Sequence, residues 1–205
     1  DFLAYHETVK GHSSKTVDEY YLDLRNFLRY LRRQRDPSLK QTPFDSISIL
    51  DIDADFLRSV SLSDVYGYLS YLSRERGLAT SSRARKLATL RSFFKYLTTK
   101  THLLDDNPIK DIDSPRVRKS LPRYLDLESS IQLLESIDGV NQTRDYCILT
   151  LFLNCGLRIS ELVGLNLNDV QNDSLRILGK GNKERVVFLN DACVSALSDY
   201  LTERS

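Results

Sequence analysis

The first half of the chain repeats its apolar residues at intervals of three and four, which is the period of an amphipathic α-helix. This period predicts a short helix at 2–9, a longer one from Ser13 or Ser14, a third from Ser61 or Ser63, and a fourth over 80–97. Asp36-Pro37 is expected to end the second helix, and Gly77 to end the third. Residues 41–55, which include Pro43, read as a loop. The first half is therefore predicted to be a helical bundle.

The second half combines helical periods with two short runs of strand-forming residues. The runs at 174–178 and 185–189 predict a β-hairpin, because Gly179 to Asn182 supply turn residues between them. The run 146–153 is apolar almost all round and predicts a buried helix, which Gly156 would end in a left-handed conformation. Further helices are predicted at 127–137, 160–165 and 191–203. The predicted fold class is mainly α with a small β-hairpin.

A change of composition separates the two halves. Residues 114–124 contain Pro115, Pro122 and a run of basic residues, and Asn107-Pro108 precedes them. Such a segment is typical of an exposed linker. We therefore predict an N-terminal domain at 1–113, a linker at 114–124 and a second domain at 125–205.

The net charge of +1 indicates little, but the positive charge is unevenly distributed. Between residues 74 and 100 eight basic residues stand against one acid, Glu75. A concentrated basic face is typical of a protein that binds nucleic acid, although an ordinary solvated helix face would give the same count. The eight residues are Arg74, Arg76, Arg83, Arg85, Lys86, Arg91, Lys95 and Lys100.

Several classes of protein are excluded by composition. The three cysteines form no CxxC pair and fall in apolar helical patterns, so we expect reduced core cysteines and neither a disulfide framework nor a zinc site. The three histidines are scattered, which predicts no metal site. No apolar run has membrane-spanning length and no signal peptide is visible. The chain lacks methionine and begins with Asp1, so the gene product is expected to start upstream.

The segment from Gly156 to Leu162 places Arg158 directly after the apolar helix. We expect this guanidinium where the core meets a cleft, with an anionic partner, because a buried unpaired charge is costly. A phosphate suits its planar fork of donors. Glu161 follows three residues later and can orient the guanidinium. A purely structural pair between Arg158 and Glu161 is the alternative.

The segment from Gly179 to Arg185 places Lys180 near the tip of the predicted hairpin. A lysine on such a loop can reach a phosphate or a leaving oxygen, although most turn lysines are simply solvated. The segment does not fit a Walker phosphate loop, which has four residues between its glycines and continues into a helix.

Taken together, the two segments resemble the first half of the active site of the tyrosine recombinase (phage integrase) family, and most closely its Xer-type members. Residues 2–11, 23–28 and 83–97 are similar to helices of that family's N-terminal core-binding, SAM-like domain. The resemblance implies a core-binding domain at 1–113 and the first part of an α+β catalytic domain at 125–205. In that family the two domains clamp duplex DNA, four protomers form a synapse, and a tyrosine cleaves the strand through a 3′-phosphotyrosyl intermediate without metal or ATP.

By the same resemblance, Arg158 would clamp the scissile phosphate, Lys180 would be the general acid that protonates the 5′-oxygen, and Glu161 would orient the arginine. Lys180 is preferred to Lys183 because it holds the lysine position of the family's hairpin motif. The resemblance also implies a bacterial, cytoplasmic, nucleoid-associated protein without a cofactor. The residues expected to contact DNA are Lys15, Arg83, Arg85, Lys86, Arg91, Lys183 and Arg185.

The family's second half-site, a His-x-x-Arg motif followed by the nucleophilic tyrosine, is not found in this sequence. Tyr200 is the single tyrosine after Lys180 and comes too early to be the nucleophile. We therefore expect a fragment that binds DNA without cleaving it. Two alternatives stay open, namely a non-catalytic DNA-binding relative and a helical protein-interaction module.

Overall fold

The computed structural model describes residues 1–117, 121, 123–179, 181 and 183–204. It divides into two compact units, Asp1–Ser120 and Leu121–Ser205, and each is described by itself. The division falls inside the segment 114–124, where the sequence predicts a linker. Among the described residues, no helix combines the length and the apolar character needed to cross a membrane.

Unit 1 is a bundle of helices, and three of its helix boundaries follow from local sequence signals. Helix α4 begins with a reciprocal capping box between Ser61 and Asp64, and Gly77 follows its end with a φ of +61°. Ser13 stands at the N-cap of α2 as predicted, although its hydroxyl lies 3.0 Å from that of Thr16. The elements are α1 (Phe2–Ala4, continued by a π-helical turn Tyr5–Val9), α2 (Ser14–Arg35), 3₁₀ turns at Pro37–Gln41 and Phe44–Ser46, α3 (Ala54–Arg58), α4 (Leu62–Arg74) and α5 (Thr80–Thr99).

The core of unit 1 lies between α2, α4 and α5. Phe27 of α2, Val65 of α4 and Phe94 of α5 are fully buried, and Tyr30, Tyr68 and neighbouring aromatic rings pack beside them. Each such side chain contributes roughly 1.5–3 kcal/mol by leaving water. Leu87, Leu90, Phe94 and Leu97 form the inward face of α5 at intervals of three and four.

The sequence predicts a loop over 41–55, but the chain between α2 and α4 is more ordered than that. It forms two 3₁₀ turns and the short helix α3, and Ile47 within it is only 2% exposed. Three arginines on one face of α2 hold it. Arg29 donates to the carbonyl oxygen of Ile47 (3.0 Å), Arg32 to that of Ser48 (2.5 Å) and Arg35 to that of Ser59 (3.1 Å).

Unit 2 packs helices against a three-stranded antiparallel sheet. The strand order is β1-β2-β3, and Ile177 of β2 pairs with Arg185 of β3, so the predicted hairpin is confirmed. The two-residue strand β1 was not predicted, because so short a run carries no period of its own. The elements are α6 (Leu127–Glu135), α7 (Gln142–Cys155), α8 (Ile159–Val163), a 3₁₀ turn Leu167–Asp169, β1 (Val170–Gln171), β2 (Ser174–Leu178), β3 (Glu184–Phe188) and α9 (Asp191–Arg204).

Helix α7 is less buried than its sequence predicts. Tyr146 and Leu153 are 42% and 38% exposed, because α6, α9 and the sheet cover only part of the surface of α7 within the described part of unit 2. The cysteines are free thiols, and the Sγ atoms of Cys155 and Cys193 lie 3.8 Å apart. Burial raises the pKa of Cys147 to about 11 and that of Cys155 to about 12, which keeps both thiols protonated.

Candidate functional site

The end of α7 sets the position of Arg158. Gly156 adopts a left-handed conformation (φ +59°) and stops the helix, and Leu157 then inserts into the core. Arg158 follows in an extended conformation as the N-cap residue of α8. Its side chain is 68% exposed, whereas we expected a guanidinium lodged where the core meets a cleft. The buried charge at this place is the carboxylate of Glu161 instead.

Glu161 binds Arg158 through both its backbone N–H and its guanidinium. The backbone N–H of Arg158 donates to Oε2 of Glu161 (2.9 Å), and the guanidinium Nη1 donates to Oε1 (2.7 Å). The first contact is the return bond of a capping box, which explains the spacing of three residues. The Glu161 side chain is only 2% exposed, so the guanidinium is anchored from the side of the core.

A second arginine binds the same carboxylate. Arg185 of β3 donates from Nη1 to Oε1 of Glu161 (2.8 Å) and from Nη2 to Oε2 (2.9 Å). The sequence predicted a DNA contact for Arg185, which stays a prediction; in the structure its guanidinium binds Glu161, 24 residues earlier in the chain. Arg185 first, and then the backbone N–H of Arg158, hold the pKa of Glu161 well below its usual range. Glu161 is therefore ionised, and the same bond raises the pKa of Arg185.

The neck of the hairpin, where Gly179 and Lys183 face each other at the start of the loop, lies against the carboxylate of Glu161. The N–H of Gly179 donates to the carbonyl oxygen of Lys183 (2.7 Å). A methyl group on Gly179 would stand 3.3 Å from that carbonyl oxygen and 3.4 Å from Oε1 of Glu161, so glycine permits a close approach. Lys180, the predicted general acid, lies outside the described residues. The side chain of Lys183 is exposed.

The basic residues of α5 have partners inside unit 1 that the sequence did not reveal. Arg83 donates to the carbonyl oxygen of Leu78 (2.5 Å), and Arg91 donates to the hydroxyl of Ser114 (2.6 Å) and to the carbonyl oxygen of Ile112. These contacts fix the start of α5 and the chain beyond the bundle. Each guanidinium has further donors, so a local contact does not exclude a second, external anion.

Arg85 and Lys86, the other two residues of α5 that were expected to contact DNA, pair with a buried aspartate. Asp23 of α2 is 1% exposed and accepts from Arg85 (2.8 and 3.1 Å), Lys86 (2.7 Å) and Thr89 (2.8 Å). The Lys86 side chain is only 13% exposed and serves as a counter-ion of Asp23, while its predicted DNA contact stays a prediction. Arg85 is 47% exposed and keeps one side to solvent, and it also meets Glu19 (3.1 Å). The signal for this cluster was an acid on the apolar face of α2.

Two histidines that are six residues apart in the sequence also meet. Nδ1 of His6 lies 3.3 Å from Nδ1 of His12, and Nε2 of His6 lies 3.1 Å from the hydroxyl of Ser92. Burial, and then the neighbouring His12, lower the pKa of His6. In the described part of the chain, no three metal-binding side chains gather at one place.

Two protein-family models match this chain. A model of the phage integrase family matches residues 123–205, and a model of the phage integrase N-terminal SAM-like domain matches residues 48–101. The chain belongs to the phage integrase family. Tyrosine recombinase XerC of Caldanaerobacter subterraneus subsp. tengcongensis is 48% identical over 204 residues, which are 100% of this chain and 58% of the relative. Tyrosine recombinase XerC of Myxococcus xanthus is 38% identical over 207 residues, 99% of this chain and 62% of the relative. The chain thus spans about three fifths of the length of these relatives.

Solved structures of this family share the fold. The XerH site-specific recombinase bound to palindromic difH substrate, in a post-cleavage complex, matches 92% of this chain and 53% of that protein, with a TM-score of 0.66 and 23% identity. The Tn1549 transposon integrase in complex with circular intermediate DNA matches 100% of this chain and 64% of its own, with a TM-score of 0.59 and 19% identity. The predicted fold class, mainly α with a small sheet, is confirmed.

Proposed function

We propose that this protein is a site-specific DNA recombinase, which clamps duplex DNA and exchanges strands through a 3′-phosphotyrosyl intermediate. The observation that carries the proposal is the arrangement around Glu161. One buried carboxylate holds the exposed guanidinium of Arg158 and the neck of the hairpin that carries Lys180. Family membership and the names of the relatives support the same function.

In this proposal Arg158 binds the non-bridging oxygens of the scissile phosphate. Its guanidinium is 68% exposed and donates a single hydrogen bond to Glu161, from Nη1 to Oε1, so its other donors can face an anion. Charge grows on those oxygens in the pentavalent transition state, and a fixed cation stabilises that state more than the ground state. Lys180 is proposed to protonate the 5′-oxygen as it leaves. Glu161 orients Arg158, and the chemistry requires neither a metal nor ATP.

The proposed DNA-binding residues are Lys15, Arg83, Arg85, Arg91 and Lys183. Lys15 lies exposed in the first turn of α2, and Lys183 lies exposed beside the hairpin turn. Arg83, Arg85 and Arg91 stand on α5 with guanidinium donors to spare. The proposed partners are a duplex recombination site and further recombinase protomers, four to a synapse, in the bacterial nucleoid. XerH and the Tn1549 integrase, which share the fold, were each solved with a DNA substrate.

Equilibrium binding to duplex DNA at several salt concentrations tests the first half of the proposal. If ~6 phosphates are neutralised, the logarithm of the association constant should fall against the logarithm of salt with a slope of roughly −5. Charge-removing changes at Arg83 and Arg91 should weaken binding and make that slope shallower. A slope near zero would contradict any role on nucleic acid and favour the protein-interaction alternative.

Covalent adduct formation tests the second half. The full-length gene product is incubated with a nicked duplex, and the phosphotyrosyl adduct is measured on a denaturing gel. Arg158→Ala should slow its formation by about 100-fold or more, because it removes a preorganised charge from the transition state. Arg176→Ala is the matched control, since Arg176 lies on the same hairpin and pairs with Asp169 instead. DNA binding without any adduct would favour a non-catalytic relative.

A further inference from the structure

The carboxylate of Glu161 is shared by two arginines in unequal ways. Arg185 makes two parallel bonds to it, one to each oxygen, while the Arg158 guanidinium makes one. The backbone N–H of Arg158 supplies a fourth bond. The Arg158 side chain is 68% exposed and that of Arg185 39%, so Arg158 is the more accessible of the two.

This inequality decides what happens when Arg158 turns toward an external phosphate. A buried carboxylate must keep a cationic partner, because breaking a buried pair leaves an uncompensated charge. With Arg185 in place, three of the four bonds to Glu161 persist even when the bond from the Arg158 guanidinium lengthens as it binds a phosphate. Without Arg185, Arg158 would be the remaining cation among the described partners of Glu161. Each movement toward a phosphate would then uncover the buried charge.

Arg185 also stands at a sensitive point of the hairpin. It pairs with Ile177, one step inside the last pair of the ladder, Leu178 with Glu184. The loop that carries Lys180 begins directly beyond that pair. A bidentate bond from Arg185 to Glu161 therefore fixes the base of the loop to the same carboxylate that orients Arg158.

We propose that Arg185 is a positioning residue, which neutralises Glu161 so that Arg158 is free to bind a DNA phosphate, and which holds the hairpin at the same site. The proposal rests on the proposed recombinase function. It replaces the DNA contact that the sequence predicted for Arg185. A DNA contact and a positioning role give different results in the following experiments, so they can be told apart.

The first experiment measures DNA affinity and adduct formation in the full-length gene product carrying Arg185→Ala. The rate of adduct formation at saturating DNA should fall by about 100-fold, because Glu161 without its bidentate partner draws the Arg158 guanidinium away from the phosphate, and misplacement of a catalytic group by about 1 Å has that effect. The salt slope of DNA binding should stay unchanged. If Arg185 contacted a phosphate instead, the slope would become shallower by about 1. The control Arg176→Ala should leave both quantities as in the wild type.

The second experiment tests the reason for the loss. In the Arg185→Ala background, Glu161→Gln replaces the buried charge by a neutral group of the same shape, which holds Arg158 less strongly. The double variant should form adduct about tenfold faster than Arg185→Ala alone, since a bond to a charged group is worth roughly twice a neutral one. If Arg185 had a merely structural role, adding Glu161→Gln would not raise the rate of adduct formation.

Three results would overturn the inference: an Arg185→Ala variant that cleaves at the wild-type rate, a shallower salt slope, or a double variant no faster than the single one. Should Arg185→Ala fail to fold by circular dichroism, Arg185→Gln with and without Glu161→Gln carries the same comparison, because glutamine removes the charge but can keep a neutral hydrogen bond to the Glu161 side chain. Failure of the proposed function is a separate outcome, in which the wild-type protein itself neither binds duplex DNA nor forms an adduct.

Discussion

Replacing Asp23 with alanine should strongly destabilise the bundle of unit 1. The carboxylate is 1% exposed and joins α2 to α5 through Arg85, Lys86 and Thr89. The change removes the counter-ion of Lys86, whose ammonium group is 2.7 Å from Oδ1 and whose side chain is 13% exposed. Arg85 is 47% exposed, so its guanidinium can turn to water and adds less to the loss.

The magnitude follows from the burial of the Asp23–Lys86 pair. Removing one partner of a buried ion pair costs about 3–5 kcal/mol, because the other charge is left without compensation. A whole domain is stable by only about 5–15 kcal/mol. At about 4 °C per kcal/mol for a unit of this size, the melting temperature of unit 1 should fall by roughly 12–20 °C.

Hydrogen exchange followed by mass spectrometry measures the effect one unit at a time. Peptides from α2 and α5 should lose protection in Asp23→Ala, while peptides from α7 and α9 provide an internal reference. Asp45→Ala is the matched control, since Asp45 pairs with Arg29 from a side chain that is 90% exposed, and it should cause no measurable change. Adding Lys86→Met to Asp23→Ala should restore part of the stability, because the unpaired ammonium is gone. A loss below about 1 kcal/mol in Asp23→Ala would refute the reasoning, since the carboxylate would then be no part of what holds the bundle together.

Three further predictions concern other parts of the chain. The pKa of His6 is lowered in the folded protein, so the contribution of His6 to stability is complete above pH 6.5 and is lost as the pH falls through the folded pKa. Thermal melts at several pH values should show this decline, and His6→Asn should flatten it. Gly156→Ala should cost about 1–2 kcal/mol in urea unfolding, because φ is +59° and a methyl group there meets no atom within 4 Å, so backbone strain alone acts; Gly156→Asn should cost less, and equal costs would contradict this. Lys180→Ala should leave DNA binding nearly intact but slow adduct formation. A substrate with a 5′-bridging sulfur should recover much of the rate, because a thiolate leaves without protonation. If the rate does not recover, the role of general acid would pass to Lys183.

Features determined by a few adjacent residues were predictable from the sequence. The turn at Gly156, the capping box at Ser61 and the bond from the Arg158 N–H to Glu161 each lie within four residues, and local chemistry sets them. The hairpin followed from two strand-like runs with turn residues between them. The spacing of Arg158 and Glu161 also suggested their pairing, although it did not reveal which of the two is buried.

Contacts between distant residues were not predictable in the same way. Glu161 and Arg185 are 24 residues apart, and Asp23 and Arg85 are 62 apart, so neither pair has a signature in a local window. A basic residue on a helix looks the same whether it faces DNA or a buried acid. The informative sign was the acid rather than the base, since Asp23 falls on the apolar face of α2 and a charge there requires a partner.

The arginines of α2 have a consequence for how freely the chain can vary. Arg29, Arg32 and Arg35 donate hydrogen bonds to main-chain carbonyl oxygens of the following segment. Arg33 likewise donates to the carbonyl oxygen of Lys40 (3.0 Å). A carbonyl oxygen is present whatever side chain the residue carries. The segment 40–59 can therefore exchange most of its exposed side chains and still be held, provided that the buried Ile47 is kept. A library randomised at exposed positions of this segment should yield mostly folded proteins, whereas a library at the four arginines should not.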